Sequence, residues 1–154
     1  MSIIFGLLCI TLLIGVINSD KCGGNCPGGK CNSCPCGYDK NVVDGASWCN
    51  KYSGWNQACC RCIVSHESVG NGNAMNGNSN GSLDVGLFQI NSMNWGQCNG
   101  GNAPCNLDQN LNCAKKIFGW GGNSFRLWAT ASMCGCKNAS EFYKIFSKYK
   151  KTTK

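Results

Sequence analysis

The chain has 154 residues, 15 cysteines and a formal net charge of +7 at pH 7. This length suits one compact domain with extensions, and so many cysteines argue against a reducing compartment. The positive charge favours anionic partners, among which bacterial wall polymers, anionic lipids and nucleic acids all qualify, or it serves solubility alone.

Residues 1–19 predict a secretory signal peptide. The apolar run over residues 3–17 has a typical length for such a peptide and is short for a membrane span. Ser19 is suitably small for cleavage before Asp20, although Ile17 is bulky for its position and no Lys or Arg precedes the run. We therefore expect a secreted mature chain, with a membrane anchor as the alternative.

Residues 20–36 are rich in Cys, Gly and Pro and cannot form a core by themselves. They predict a disulfide-bonded N-terminal extension, either a separate knot or a strap attached to the main domain. Loss of Cys9 with the signal peptide takes the 15 cysteines to 14, an even number that allows seven disulfides. Zinc bound by Cys31, Cys34 and Cys36 is the alternative, which a secreted chain with a single His disfavours.

Apolar residues at helical spacing predict four helices, over residues 42–52, 57–66, 111–118 and 125–133. Residues 70–82 are almost entirely Asn, Gly and Ser, a composition typical of turns, and residues 83–91 predict a strand. The sequence thus predicts a disulfide-rich α+β domain over residues 37–136, followed by a Lys-rich tail over residues 137–154.

Only two acidic residues, Glu67 and Asp84, lie between residues 45 and 107. Two carboxylates in different environments are the minimum for glycoside hydrolysis, because one must stay protonated while the other stays ionised. Glu67 follows an apolar helix, where desolvation would raise its pKa. Asp84 is surrounded by amides and hydroxyls that can hold it ionised and can also bind sugars. The spacing alone leaves open that Glu67 merely ends a helix and Asp84 lies in a turn.

The residues around this pair resemble the active-site region of the C-type lysozymes, the chicken-type glycoside hydrolases. The resemblance covers roughly residues 42–136 and implies a helical lobe beside a small antiparallel β-ribbon. The matching residues are Cys62, Glu67-Ser68, Asn76-x-Asn78, Gly81-Ser82-x-Asp84-x-Gly86, Gln89-Ile90-Asn91-Ser92 and Asn112-Cys113-Ala114-Lys115-Lys116-Ile117.

Carried over by position, the resemblance makes Glu67 the general acid/base and Asp84 the nucleophile or oxocarbenium stabiliser. It implies retaining hydrolysis of the β-1,4 bond between N-acetylmuramic acid and N-acetylglucosamine in peptidoglycan, with chitin oligomers as a secondary substrate. A secreted or phagolysosomal monomer is expected, without cofactor, metal, nucleic acid or obligate protein partner. The sugar-binding positions carried over are Asn76, Asn78, Gln89, Asn91, Trp95 and Phe125.

The chain also departs from the family pattern. His66 stands where an aromatic residue usually precedes the acid, and Asn94 replaces a second cleft tryptophan. The apolar wall beside the acid is assigned to Phe125, with Trp120 or Trp128 as alternatives. One family cysteine is missing, so Cys113 needs a new partner, and the bridges implied are Cys98–Cys105 and Cys62 to Cys134 or Cys136.

Three other functions remain open on the sequence. A non-catalytic sugar-binding relative would keep the cleft without turnover, although both acids are present. A cationic membrane-active protein would act through the Lys-rich segment 144–154, whose aromatic and aliphatic residues give it an apolar side. A lytic transglycosylase would need only Glu67 and would leave anhydro-muramyl ends.

Overall fold

The computed structural model describes residues 21–136, so the predicted signal peptide and Lys-rich tail lie outside the described residues. Three strands form one antiparallel sheet in the order β1-β2-β3, beside the helices. This arrangement confirms the α+β class. No helix between residues 21 and 136 has the length and apolar character needed to cross a membrane. The elements are α1 (Gly45–Asn50), α2 (Gln57–Ser68), β1 (Met75–Gly77), β2 (Leu83–Val85), β3 (Ile90–Asn91), α3 (Trp95–Asn99), α4 (Leu107–Trp120) and two short 3-10 helices, Ser92–Asn94 and Ala129–Ala131.

Asparagine side chains set where the two long helices begin. Asn56 accepts a hydrogen bond from the Cys59 amide at 2.9 Å, and Asn106 accepts one from the Asp108 amide at 2.9 Å. Such caps satisfy backbone N–H groups that have no partner within the helix. The Asn106 cap explains why α4 begins before residue 111, where the apolar period alone places its start.

The predicted helix over residues 125–133 is wrong, because only Ala129–Ala131 form a single turn of 3-10 helix. Trp128 has an extended backbone, with φ −91° and ψ 131°. Its indole Nε1 donates a hydrogen bond to the carbonyl of Phe88 at 2.9 Å. This long-range contact overrides the helical period of the local sequence.

The segment 83–91, predicted as one strand, forms β2 and β3 with a tight turn between them. The Gln89 amide donates to the carbonyl of Gly86 at 3.1 Å, and the two residues have φ of 48° and 79°. A Cβ atom on Gly86 would lie 2.1 Å from Nδ2 of Asn110, so this position requires glycine. Asn110 is fully buried, and its amide bonds the backbone on both sides of the turn.

Residues 21–36, called the N-terminal segment below, pack against the sheet. Two disulfides lie within the segment, and Cys36–Cys105 joins it to the loop before α4. The carbonyl of Asn25 accepts a hydrogen bond from the amide of Met75 in β1 at 2.6 Å. The buried half-cystines of the segment pack against Met75, Leu83 and Val85. The segment therefore combines the two arrangements left open by the sequence, an internal knot and an attached strap.

The disulfides confirm one expected bridge and correct another. Cys62 pairs with Cys134 as the resemblance implies, whereas the expected Cys98–Cys105 bridge is wrong. Cys105 is taken by Cys36 of the N-terminal segment, a partner outside the region of resemblance, and Cys98 therefore pairs with Cys113. Seven disulfides form within residues 21–136, and they include every cysteine of the alternative zinc motif. The pairs are Cys22–Cys34, Cys26–Cys31, Cys36–Cys105, Cys49–Cys60, Cys59–Cys136, Cys62–Cys134 and Cys98–Cys113.

The main core lies between α2, α4 and the turn that joins β2 to β3. Trp55 stands at its centre, with its ring 5.5–5.8 Å from those of Phe88, Phe118 and Phe125. Each large side chain buried in this way stabilises the fold by about 1.5–3 kcal/mol. The core thereby holds the C-terminal end of α2 beside the sheet.

Candidate active site

Glu67 lies in the last turn of α2, where the helix reaches the sheet. The hydroxyl of Ser68 donates to the carbonyl of Leu87 at 2.8 Å and ties this helix end to the turn after β2. Val69 then adopts a left-handed backbone, with φ 51°, and the helix stops. Glu67 is therefore held at a fixed place beside the sheet.

The surroundings of Glu67 favour its protonated form. Burial raises the pKa of Glu67 above the ordinary value of 4.5, and the nearby negative charge of Asp84 raises it further. Thr130 acts in the opposite direction, because its hydroxyl donates to Oε1 of Glu67 at 2.5 Å and so lowers this pKa. Since burial is the largest effect, Glu67 is suited to donate a proton.

Asp84 lies in the middle strand and is bonded from both neighbouring strands. The register places Asn76 of β1 and Asn91 of β3 directly opposite it, so the three side chains share one face of the sheet. Asn91 donates to Oδ1 at 2.7 Å, while Asn78 at 2.8 Å and Asn76 at 3.4 Å donate to Oδ2. Three amide donors suit an ionised carboxylate, which can only accept hydrogen bonds.

Ser82 fixes two of these amides in place. Its hydroxyl oxygen accepts hydrogen bonds from Asn78 at 3.1 Å and from Asn91 at 3.0 Å, and it donates to Asn80 at 2.7 Å. Because the donors are already oriented, little reorganisation is needed when charge changes beside Asp84.

The two carboxylates lie where two pockets meet. The larger pocket has a volume of about 700 Å³ and the smaller about 230 Å³. Glu67, Asp84 and Gln89 line both of them. A linear polymer that ran from one pocket into the other would pass the two carboxylates at the junction.

Three of the six predicted sugar-binding residues line these pockets, and a fourth bonds the Asp84 carboxylate at their junction. Asn76 lines the larger pocket, Asn91 the smaller and Gln89 both, and Asn78 donates to Asp84. Gln89 is oriented by hydrogen bonds of its Nε2 to two backbone carbonyls, at 2.9 and 3.0 Å.

The other two residues lie away from the pocket linings. Trp95 is half-buried between the two core clusters, and its indole donates to the carbonyl of Ile90 at 3.0 Å. Phe125 is only 2% exposed and packs against Phe118 and Trp128. Trp128, one of the two alternatives named for the apolar wall, does line the smaller pocket.

Sequence reasoning missed Thr130 and Leu127. Thr130 bonds Glu67 across 63 residues of sequence, and Leu127 lines the smaller pocket with its side chain half exposed. Neither residue carries a local signal, because a single threonine or leucine is common in any loop. Asn94, which the sequence marks as a departure from the family pattern, also lines the smaller pocket.

Comparisons with known proteins identify the family of this chain. A family model described as a lysozyme-like domain matches residues 58–130, which cover α2 from its second residue, the sheet, α3 and α4. The chain is 33% identical over 106 residues to lysozyme C of Equus asinus, covering 59% of this chain and 81% of that protein. The milk isozyme of lysozyme C from Equus caballus is 32% identical over 106 residues, with the same coverage. The chain belongs to the C-type lysozyme family. This membership supports a lysozyme-type function and the glycoside hydrolase class, whereas the N-terminal segment lies outside residues 58–130.

Proposed function

We propose that the chain is a secreted lysozyme that hydrolyses the β-1,4 bond between N-acetylmuramic acid and N-acetylglucosamine in bacterial peptidoglycan. The observation that carries this proposal is the contrast between two carboxylates at one pocket junction. Glu67 is largely buried with a raised pKa, and Asp84 accepts three amide hydrogen bonds. Such a contrast divides the acid and base roles of glycoside hydrolysis, for which lysozyme is itself the type case.

In the proposed reaction, protonated Glu67 gives its proton to the glycosidic oxygen, and the bond from that oxygen to the anomeric carbon breaks. Asp84 bonds to the anomeric carbon or stabilises the oxocarbenium ion that forms there. Ionised Glu67 then takes a proton from water, which attacks the same carbon and releases Asp84. Two displacements retain the anomeric configuration.

The amides around Asp84 and Gln89 support recognition of amino sugars. Amide N–H and carbonyl groups can bond the hydroxyl and acetamido groups of these sugars. Chitin oligomers carry the same acetamido groups and are proposed as a secondary substrate. Trp95 and Phe125 would act behind the sugar-contacting surface, and Trp128 would supply the apolar wall in the smaller pocket.

Seven disulfides support an oxidising location, either outside the cell or within a phagolysosome. There the protein would act as an antibacterial or bacteria-digesting enzyme. The rival membrane-active function depends on the Lys-rich tail, which lies outside the described residues.

The test is clearing of a peptidoglycan suspension by purified, oxidised residues 20–154, with the released ends identified by mass spectrometry. We expect reducing muramic acid ends, and Glu67→Gln should lower the rate by about 10²-fold or more. Glu141→Gln makes the same chemical change at the chain's other glutamate and should clear at the unaltered rate.

Each rival function gives a different result in this assay. Sugar binding without clearing in the unaltered protein would indicate a non-catalytic relative. Anhydro-muramyl ends would indicate a lytic transglycosylase. Killing of bacteria that survives Glu67→Gln and is lost with residues 137–154 would indicate membrane activity.

A further inference from the structure

The larger pocket has a wall that the lysozyme-like region 58–130 does not supply. Gly24, Asn25 and Pro27 of the N-terminal segment line it, together with Lys40. Its volume of about 700 Å³ lies within the usual range for a ligand site, and the two carboxylates belong to its lining. The N-terminal segment therefore extends the cleft beside the reacting bond.

This wall is held rigidly. The side chain of Asn25 is fully buried, donates to the carbonyls of Gly37 at 3.2 Å and Asp39 at 3.0 Å, and accepts from Asn71 at 2.9 Å. Asn73 donates a further hydrogen bond to the carbonyl of Asp39 at 2.8 Å. Lys40 follows Asp39 directly, so its backbone is fixed beside the pocket.

The lining of the larger pocket carries a positive charge and apolar side chains, which the binding of a neutral sugar does not require. Lys40 is exposed, and within residues 21–136 the one ion pair joins Lys51 to Asp108, so no carboxylate there forms an ion pair with Lys40. Val42 and Val69 also line the pocket, with 69% and 81% of their surfaces exposed. An unpaired cation beside two exposed aliphatic side chains suits a ligand that carries both a carboxylate and small apolar groups.

The backbone of Val69 is a second indication that this part of the pocket binds a ligand. A β-branched residue with φ of 51° is a rare and unfavourable conformation, and such strain concentrates at functional sites. The strain holds an exposed valine two residues after Glu67, at the edge of the larger pocket.

We propose that the N-terminal segment and Lys40 form a subsite for the short peptide that substitutes muramic acid in peptidoglycan. Lys40 binds a carboxylate of this peptide, while Val42 and Val69 contact its aliphatic side chains. The inference rests on the proposed function and deepens it, because it names a peptide-bearing glycan as the preferred substrate over chitin, which has no such substituent.

The test compares two soluble glycan substrates prepared from peptidoglycan free of wall phosphate polymers. One retains its peptides, and an amidase has removed them from the other. We expect the unaltered enzyme to have a higher kcat/KM on the peptide-bearing strands. Lys40→Glu should lower that kcat/KM by about tenfold, mainly through KM, and should change the rate on stripped strands by less than about twofold.

Lys30→Glu provides the matched control. Lys30 is an exposed lysine of the N-terminal segment that does not line the pocket, and its substitution changes the net charge by the same amount. We expect it to match the unaltered enzyme on both soluble substrates. Equal effects of the two variants on peptide-bearing strands would overturn the subsite.

Two further outcomes would separate the possible failures. If Lys40→Glu reduced activity only on walls that retain phosphate polymers, the anion would be phosphate and the peptide subsite would be wrong. If the unaltered enzyme cleaved neither strand, the proposed function would fail and the subsite with it. Cleavage of both strands with equal kcat/KM would overturn the subsite while leaving the proposed function intact.

Discussion

The hydroxyl of Thr130 donates a 2.5 Å hydrogen bond to Oε1 of Glu67, and this contact opposes the effect of burial on the carboxyl group. A hydrogen bond donated to a carboxylate favours its ionised form, whereas burial favours the neutral form. The protonation of Glu67 is therefore a balance between these two effects, with the negative charge of Asp84 adding to that of burial.

Substitutions of Thr130 and of Asp84 should move the pKa of Glu67 in opposite directions. Thr130→Val removes the hydrogen bond and should raise this pKa, while Asp84→Asn removes the negative charge and should lower it. Titration of the Glu67 side-chain carbon by ¹³C NMR measures both changes without requiring activity. Asp108→Asn, a carboxylate outside both pocket linings, is the control. Shifts of the same sign in the two variants would show that this account of the balance is incorrect.

Glu67→Gln should stabilise the protein at neutral pH. The pKa of Glu67 is higher in the folded state than the ordinary value of 4.5, so the folded protein binds more protons between these two values. The free energy of unfolding of the unaltered protein therefore falls as pH rises from about 4.5 through the folded pKa. Glutamine does not titrate, so the Glu67→Gln protein lacks this dependence of stability on pH.

Thermal unfolding of both proteins across pH measures this effect. The Tm advantage of Glu67→Gln should be present at pH 7, should shrink as the pH falls from the folded pKa of Glu67 towards about 4.5, and should be absent below that value. Asp39→Asn removes an exposed carboxylate and serves as the control. An advantage for Glu67→Gln that grows as the pH falls would contradict the sign of the linkage.

Val69→Asn should stabilise the fold and impair the peptide subsite. Asparagine tolerates a left-handed backbone better than valine, and the exposed Val69 side chain loses little burial when replaced. We expect a gain of about 0.5–1 kcal/mol in the free energy of unfolding. Denaturant unfolding measures the gain, and kcat/KM on peptide-bearing strands should fall. Val42 does not have a positive φ, so Val42→Asn should lower kcat/KM on peptide-bearing strands without raising the free energy of unfolding.

Removal of the Cys36–Cys105 disulfide should destabilise the protein strongly. This bridge joins residues 69 apart in sequence, and closing a loop of that size in the unfolded chain corresponds to about 4 kcal/mol. The double variant Cys36→Ala, Cys105→Ala should lose about that amount in denaturant unfolding. The pair Cys26→Ala, Cys31→Ala removes a bridge between residues only 5 apart and should cost less. A larger loss from the shorter loop would rule out the loop-closure explanation.

Clearing of bacterial walls should weaken as salt concentration rises. The formal net charge of +7 attracts the protein to anionic walls, and ions at about 1 M reduce the screening length to about 3 Å. Cleavage of neutral soluble chitin oligomers should change much less under the same conditions. Clearing rates that do not respond to salt would exclude electrostatic attraction to the wall.

The environment of Asp84 could be predicted because its partners are close in sequence. Asn76, Asn78 and Asn91 all lie within eight residues of Asp84. Side chains of a β-strand alternate between its two faces, so paired strands bring such residues onto one face. The position of Glu67 at the end of an apolar helix could also be predicted, because the spacing of apolar residues indicates that helix.

The remaining features depend on contacts between distant residues. The partner of Cys36 is 69 residues away, and a cysteine's sequence position does not indicate which thiol will lie beside it. The extended backbone of Trp128 depends on its hydrogen bond to Phe88, so the helical spacing of residues 125–133 was a misleading signal. Gly86 interrupts the run 83–91, and a glycine within a strand pattern is the one local indication that the strand would divide there.

The contact between Asn25 and Met75 has a consequence for how the protein behaves in concentrated solution. β1 is an outer strand of the sheet, and the N-terminal segment occupies its free side, with the backbone of Lys30 lying over Gly77. Unpaired outer strands invite pairing with other chains and thereby promote aggregation. We therefore expect the segment that extends the cleft also to limit self-association through this strand.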